Sequence, residues 1–229
     1  MLDPGKSPAR HRFFCAEIPI IPGPDGPAGD SSANDPGVSD TPCTLDRAES
    51  HHARNVLRLS AGTPIELFDG QGGLALATLD HYQASVAHCR ITDFQHQLPI
   101  TPTLTIASAV PKGPRADAMV AQLSQLGVDT FIPLIAEHSV AVPRPNKIER
   151  FAKSAIESAK QCRRLHLMHV EAPRTPQDVL ANQDYDLKLI ATPGVPPIAD
   201  LAQRITASNR ILVLIGPEGG FSPAEIDAA

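Results

Sequence analysis

No stretch of this 229-residue chain approaches the roughly 18 uninterrupted apolar residues that cross a bilayer. Nor do the first residues, Met1-Leu2-Asp3-Pro4-Gly5-Lys6, carry the apolar core of a secretory signal. These two absences predict a cytoplasmic chain with no membrane partner. Cysteine is scarce: Cys15, Cys43, Cys89 and Cys162 stand far apart with no C-x-x-C pair. That spacing argues against a zinc knuckle or a disulfide framework. Positive charge is not in excess either, with a net charge of −5 and a pI of about 6.0. A protein that coats nucleic acid is basic throughout, so any RNA-binding cations here must form a local patch.

What is present is enough apolar residue, 42%, for one large or two small domains with cores. Residues 22–42 are almost entirely Pro, Gly, Asp, Ser, Ala and Asn, and are expected to form a flexible insertion. The stretch interrupts a strand-like start at Phe13–Ala16. A helix follows, with Asp46 as cap and Glu49 three residues on. Strands are predicted at Ile65–Phe68 and Leu74–Leu79, joined through Asp69-Gly70, and at Ser85–Ile91. Residues 1–98 thus read as a small β-barrel carrying one helix.

Beyond Pro99 and Pro102 the rhythm changes. Strands are expected at Leu104–Val110, Thr130–Ile135, Leu165–Val170, Leu187–Ala191 and Ile211–Ile215. Helices alternate with them. One has a face of Ala116, Met119, Val120, Leu123 and Leu126 and stops at Gly127; a second is capped by Asn146 with Glu149 and faces inward through Phe151, Ala155, Ala159 and Cys162; others start at Thr175-Pro176 and at Pro197. Such alternation over 102–229 predicts an α/β domain with a parallel sheet, whose ligands sit beyond the carboxyl ends of the strands.

The segment Ile211-Leu212-Val213-Leu214-Ile215-Gly216-Pro217-Glu218-Gly219-Gly220-Phe221-Ser222-Pro223-Ala224-Glu225-Ile226 is the most informative. A buried strand runs into glycines that let the backbone turn and approach a ligand. Ser222, Pro223 and Glu225 then form an S-x-x-E helix start, with Phe221 and Ile226 at the staple positions. Glycine loops between strand and helix are common in α/β proteins, and this one is neither G-x-G-x-x-G nor a P-loop with its Lys. Glu218 would repel phosphates, which disfavours a nucleotide-binding enzyme of that type. A carboxylate among backbone donors suits a ligand with neutral or cationic groups.

The run LIGPEGGFSPAEI resembles the signature of the small-subunit ribosomal RNA uracil-N3 methyltransferases, members of the SPOUT (trefoil-knot) superfamily. Arg12-Phe13-Phe14, the run His51 to Leu59 and Phe68-Asp69-Gly70 resemble the family's N-terminal, PUA-like barrel. Lys112-Gly113, Leu126-Gly127-Val128 and the run Ser158 to Arg164 follow in the family's order. Departures are Gln125, where an acid is common, and Lys160-Gln161, where Glu-Gln is common. The family also continues past the position where this chain stops, at Ala229, with a segment that forms the knot and walls the cofactor cleft. The resemblance therefore implies an incomplete knot and weak or absent activity for the 229-residue polypeptide.

It further implies methyl transfer from S-adenosyl-L-methionine to N3 of a uridine in small-subunit ribosomal RNA, by a homodimer acting on that RNA or the ribosomal subunit. Leu189, Thr192, Gly216, Glu218 and Gly219 are the expected cofactor neighbours. Arg163 and Arg164 are candidates for gripping RNA or the target base, set against a plain helix-end role. Arg12, Arg54 and Arg58 are candidates for RNA contact. Arg47, His51, Arg54 and Arg58 are spaced to form one helical stripe, which without the family would be read as a solvated face. His166 and His169, read on one strand, would point to opposite faces, so no metal is implied. A chain that only binds RNA, its cofactor cleft unfinished, is the alternative.

Overall fold

The computed structural model describes residues 10–19, 40–195 and 197–228. Two compact units divide between Leu98 and Pro99. Most of the proline- and glycine-rich stretch lies outside the described residues, but its last two residues, Thr41 and Pro42, open a strand.

The first unit contains β1 (His11–Phe14), β2 (Thr41–Thr44), α1 (Arg47–His51), β3 (Pro64–Phe68), β4 (Gly73–Gln83) and β5 (Val86–His96). They form one sheet in the order β1-β3-β4-β5-β2, parallel between β1 and β3 and antiparallel elsewhere. Burial alternates residue by residue along most of β4, as expected where one face packs and the other is wetter. Phe13, Ile65, Leu67, Leu79 and Ile91 fill the packed face. The sheet curls: β1 and β2 are its two edges, yet the sulfurs of Cys15, just after β1, and Cys43 in β2 lie 3.6 Å apart. Register shifts in β4 at Leu76/Ala77 and Leu79/His81 accompany that curvature.

Asp46 caps α1 as its sequence position predicts, its carboxylate accepting from the Glu49 N–H at 2.7 Å. Replacing Asp46 with alanine is expected to lower stability by about 1 kcal/mol, measured as a lower urea midpoint with an unchanged slope. The helix does not stay α-helical. At His52–Val56 it widens into a π-turn, with the Leu57 N–H bonded to the His52 carbonyl five residues back. Arg58 then lies outside it at φ 55°. The evenly spaced stripe read from Arg47 to Arg58 is therefore broken, because its steps of three and four assume an α-helix throughout.

The second unit carries β6 (Thr103–Ala109), α2 (Pro114–Gln125), β7 (Thr130–Leu134), α3 (Pro145–Cys162), β8 (His169–Val170), α4 (Pro176–Leu180), β9 (Leu187–Ala191), α5 (Ala202–Thr206), β10 (Arg210–Ile215) and α6 (Pro223–Asp227). Its sheet is parallel throughout in the order β8-β7-β6-β10-β9. The α/β class and the parallel sheet read from the sequence are what the chain forms. Alternate residues serve two cores. Ile106 and Phe131 face Val120, Phe151 and Ala155 of α2 and α3. Their neighbours Ala107 and Ile132 face Leu212, Leu214, Val179 and Phe221.

Four local expectations need correction. Leu126 is 81% exposed, because α2 ends at Gln125, before Gly127 turns at φ 95°. α3 begins at Pro145 with Arg144 as its cap, not at Asn146, since proline suits a first helical position. Cys162, expected on its buried face, is exposed. Only His169 and Val170 of the run from Leu165 pair as a strand, so His166 lies outside it.

Candidate active site

Because the sheet is parallel, every strand delivers its following loop to the same end. β9 and β10 are neighbours, with Ala191 opposite Ile215. The loop from Thr192 and the glycine loop from Gly216 therefore leave the sheet side by side. Leu189 pairs with Val213 two residues before that edge, and Thr192 is half-buried just beyond it. Thus Leu189, Thr192, Gly216, Glu218 and Gly219 are brought together at one end of adjacent strands, with Glu218 and Gly219 exposed.

The glycine loop is held at several points. The Gly220 N–H donates to the Pro217 carbonyl at 2.8 Å, closing a turn, and Gly220 sits at φ 75° with open space beside it. A side chain at Gly216 would meet the Phe221 ring at 3.0 Å. One at Gly219 would meet His138 Cβ at 3.1 Å. The ring Nδ1 of His138 lies 3.2 Å from the Gly220 carbonyl.

Beneath the loop, the predicted capping box at Ser222 and Glu225 is formed. Glu225 does more than its sequence motif announces. One carboxylate oxygen accepts from the Ser222 N–H at 2.9 Å and the other from the Glu137 N–H at 2.9 Å. Only 4% of Glu225 is exposed, and its carboxylate is shared by the buried Ser222 N–H and by the part-buried N–H of Glu137, 88 residues before it. It ties the loop after β7 to the glycine loop. Sequence reading missed Glu137 and His138; the only available cue was a polar pair just past the end of a buried strand.

Two arginine assignments change. Arg164 is 17% exposed in its side chain, 2.7 Å from Asp129 Oδ1, and also donates to the Ser124 carbonyl. The other Asp129 oxygen accepts from the Leu104 N–H at 2.8 Å. This cluster precedes β7, whereas His138 follows it; five strand residues, roughly 16 Å, separate the two ends. Arg164 is therefore a clamp at the end of the sheet opposite the glycine loop, and within one chain it is not at the candidate site. Arg163, exposed, ends α3 at φ 61° beside it. In the first unit, Arg12 is 9% exposed, stacked 4.6 Å from the Phe68 ring centre and opposite the buried Glu66 in register. It belongs to the packing and is not a surface cation. Arg54 and Arg58 are exposed, the former 5.4 Å from the Tyr82 ring centre.

Known proteins match this arrangement. Residues 97–229 match a family described as an RNA methyltransferase domain, and residues 45–81 one described as an RNA methyltransferase PUA domain. A ribosomal RNA small subunit methyltransferase E from Synechocystis sp. is 31% identical over 191 residues, 81% of this chain. The chain spans 62% of that relative's length. The protein of the same name from Rickettsia conorii is 32% identical over 181 residues, covering 77% of this chain and 72% of its own. A crystal structure of a ribosomal RNA small subunit methyltransferase E from Neisseria gonorrhoeae bound to S-adenosyl methionine superposes with a TM-score of 0.78 at 21% identity, covering 96% of this chain and 85% of that one. That last likeness concerns the fold alone. Taken with the sequence matches, it leads to one conclusion: the chain belongs to the RNA methyltransferase family that includes the ribosomal RNA small subunit methyltransferases E.

Proposed function

We propose that this protein methylates N3 of a uridine in small-subunit ribosomal RNA, using S-adenosyl-L-methionine, as a cytoplasmic homodimer. The observation that carries the reading is the glycine loop after β10, fixed by Glu225 beside the loop after β9. Its relatives' name and the cofactor bound to the Neisseria gonorrhoeae protein support the same chemistry. The residues present fit that cofactor. Gly194 and Gly220 leave open space where other residues would place a Cβ, and no lysine stands in the loop to demand a phosphate.

When bound, the cofactor supplies a methyl group on a sulfonium that is its own leaving group. The chain's task is then positioning and electrostatics. Gly216 and Gly219 bring the backbone against the ligand, and Leu189 and Thr192 form the facing wall. Glu218, exposed on the loop, places a negative charge where a sulfonium or ammonium is favoured. His138 and Glu225 hold the loop in shape without touching the reaction. Arg54, Arg58 and Arg163 are assigned to RNA phosphates, Arg163 from the far end of the sheet.

The test is nucleoside mass spectrometry of small-subunit ribosomal RNA incubated with the protein and S-adenosyl-L-methionine. The expected result is 3-methyluridine as the newly formed methylated nucleoside. A methyl group on any other base atom overturns the N3 assignment. RNA binding without methyl transfer favours the binding-only alternative.

A further inference from the structure

The chain carries a net charge of −5, yet one cavity in the second unit is strongly cationic. It has a volume of about 560 Å³ and lies between the segment after β6 and the start of α3. Its ionisable lining is Lys112, Arg144, Lys147 and Arg150 against a single carboxylate, Asp117. Four cations and one anion leave a local charge of +3 in an acidic protein. Asp117 does not cancel the patch so much as shape it: it sits 2.9 Å from Lys147 and 2.8 Å from Arg150, holding both at the rim. Lys112 and Arg144 are exposed. Apart from Asn146 the remaining wall is apolar, with Val110, Val142 and Pro143 among it.

The position of this cavity matters as much as its charge. Both segments that line it follow the carboxyl ends of parallel strands, β6 and β7, so it opens at the same end of the sheet as the glycine loop. The segment after β7 also joins the two directly. Its His138 is bonded to the glycine loop, and its residues Ala141 to Arg144 line the cavity. Ala141 follows His138 by three positions, a reach of at most about 11 Å.

We infer that this cavity binds the sugar–phosphate backbone of the RNA next to the nucleotide that is methylated. Cations on a partly apolar wall suit a single-stranded segment, whose phosphates meet the charges while sugars and unstacked bases pack on the aliphatic surface. A small anionic cofactor would not need four cations. The inference rests on the proposed RNA substrate, and deepens it by naming where the strand runs.

The test compares two charge-matched double variants of the full chain. Lys112→Ala with Arg144→Ala strips the cavity, while Lys153→Ala with Arg204→Ala removes two exposed cations that do not line it. The probe is a fluorescently labelled single-stranded RNA of mixed sequence, followed by anisotropy over a salt series. The cavity variant should lose affinity about tenfold or more. Its salt dependence should flatten by about 1.4, from roughly 0.7 per lost phosphate contact. The control should change little. Equal losses in both variants, or no measurable binding by the unaltered chain, overturn the inference. Mass spectrometry separates it from the proposed reaction. If the unaltered protein makes 3-methyluridine but the cavity variant binds RNA normally, the cavity reading fails alone. If RNA binding depends on the cavity but no methyl is transferred, the catalytic reading fails alone.

Discussion

Replacing Glu225 with alanine is expected to cost roughly 1–3 kcal/mol, set by the buried Ser222 N–H it leaves without an acceptor, with a smaller addition from the part-buried Glu137 N–H. Those donors, on Ser222 and Glu137, each lie 2.9 Å from a different oxygen of the same carboxylate. Because Glu225 is only 4% exposed and Ser222 is equally buried, water cannot readily replace it at the Ser222 N–H, whereas Glu137 is exposed. Some of that cost will appear as local loosening, since the two segments joined are a loop and a helix start. S-adenosyl-L-methionine affinity, measured by calorimetry, should therefore fall at least tenfold even at temperatures where the variant is folded. Glu225→Gln keeps one oxygen acceptor and turns an amide N–H₂ toward the second donor, so it should fall between the native protein and the alanine variant. An alanine variant that binds the cofactor as tightly as the native protein would show that the glycine loop keeps its shape without this tie.

Arg164→Ala is expected to destabilise the protein by about 3 kcal/mol, the range found when one member of a largely buried ion pair is removed. The loss comes from what is left behind. Asp129 would retain the Leu104 N–H but lose its guanidinium partner at 2.7 Å, and the Ser124 carbonyl would lose a donor. A catalytic arginine behaves differently, lowering turnover with little change in melting temperature. Thermal melts alongside single-turnover methylation of the folded variant distinguish the two. A normal melting temperature with abolished methyl transfer would restore a direct role in the reaction. Exchange to lysine should recover only part of the stability, because one ammonium cannot reach both the carboxylate and the carbonyl as the planar fork does.

The contrast between Arg164 and Glu225 marks where the sequence was legible. Features set within one turn of chain were read at their true positions: the Asp46 cap, the Thr175-Pro176 helix start and the Ser222–Glu225 capping box. Each depends on residues three or four apart, so local chemistry decides it. β9 was read with its observed bounds because a short apolar run between turn residues has few other outcomes. Failures arose where a distant partner decides. Arg163-Arg164 reads as a cationic helix end, and nothing nearby reveals that Asp129, 35 residues upstream, captures the second arginine. Arg12 looks like a surface cation until β1 is seen paired with β3. The π-turn at His52–Val56 leaves the same residue types in the sequence as an α-helix would. The glycine loop itself was evident, but its attachments at Glu137 and His138 come from a loop about 80 residues earlier.

The position of β10 in its sheet has a consequence for how the second unit comes to exist. This strand lies between β6 and β9, so that Arg210 pairs with Thr103. During synthesis β6 can pair with β7 on one side long before its other side has a neighbour. Until residues 210–215 emerge from the ribosome, the unpaired N–H and C=O groups along that edge of β6 have only water or a foreign strand to meet. Pairings this distant in sequence slow folding and lengthen the exposure of such edges. The aggregation risk of this protein is therefore greatest before residues 210–215 are made, and a ribosome stalled between β9 and β10 would present the nascent chain at its most adhesive.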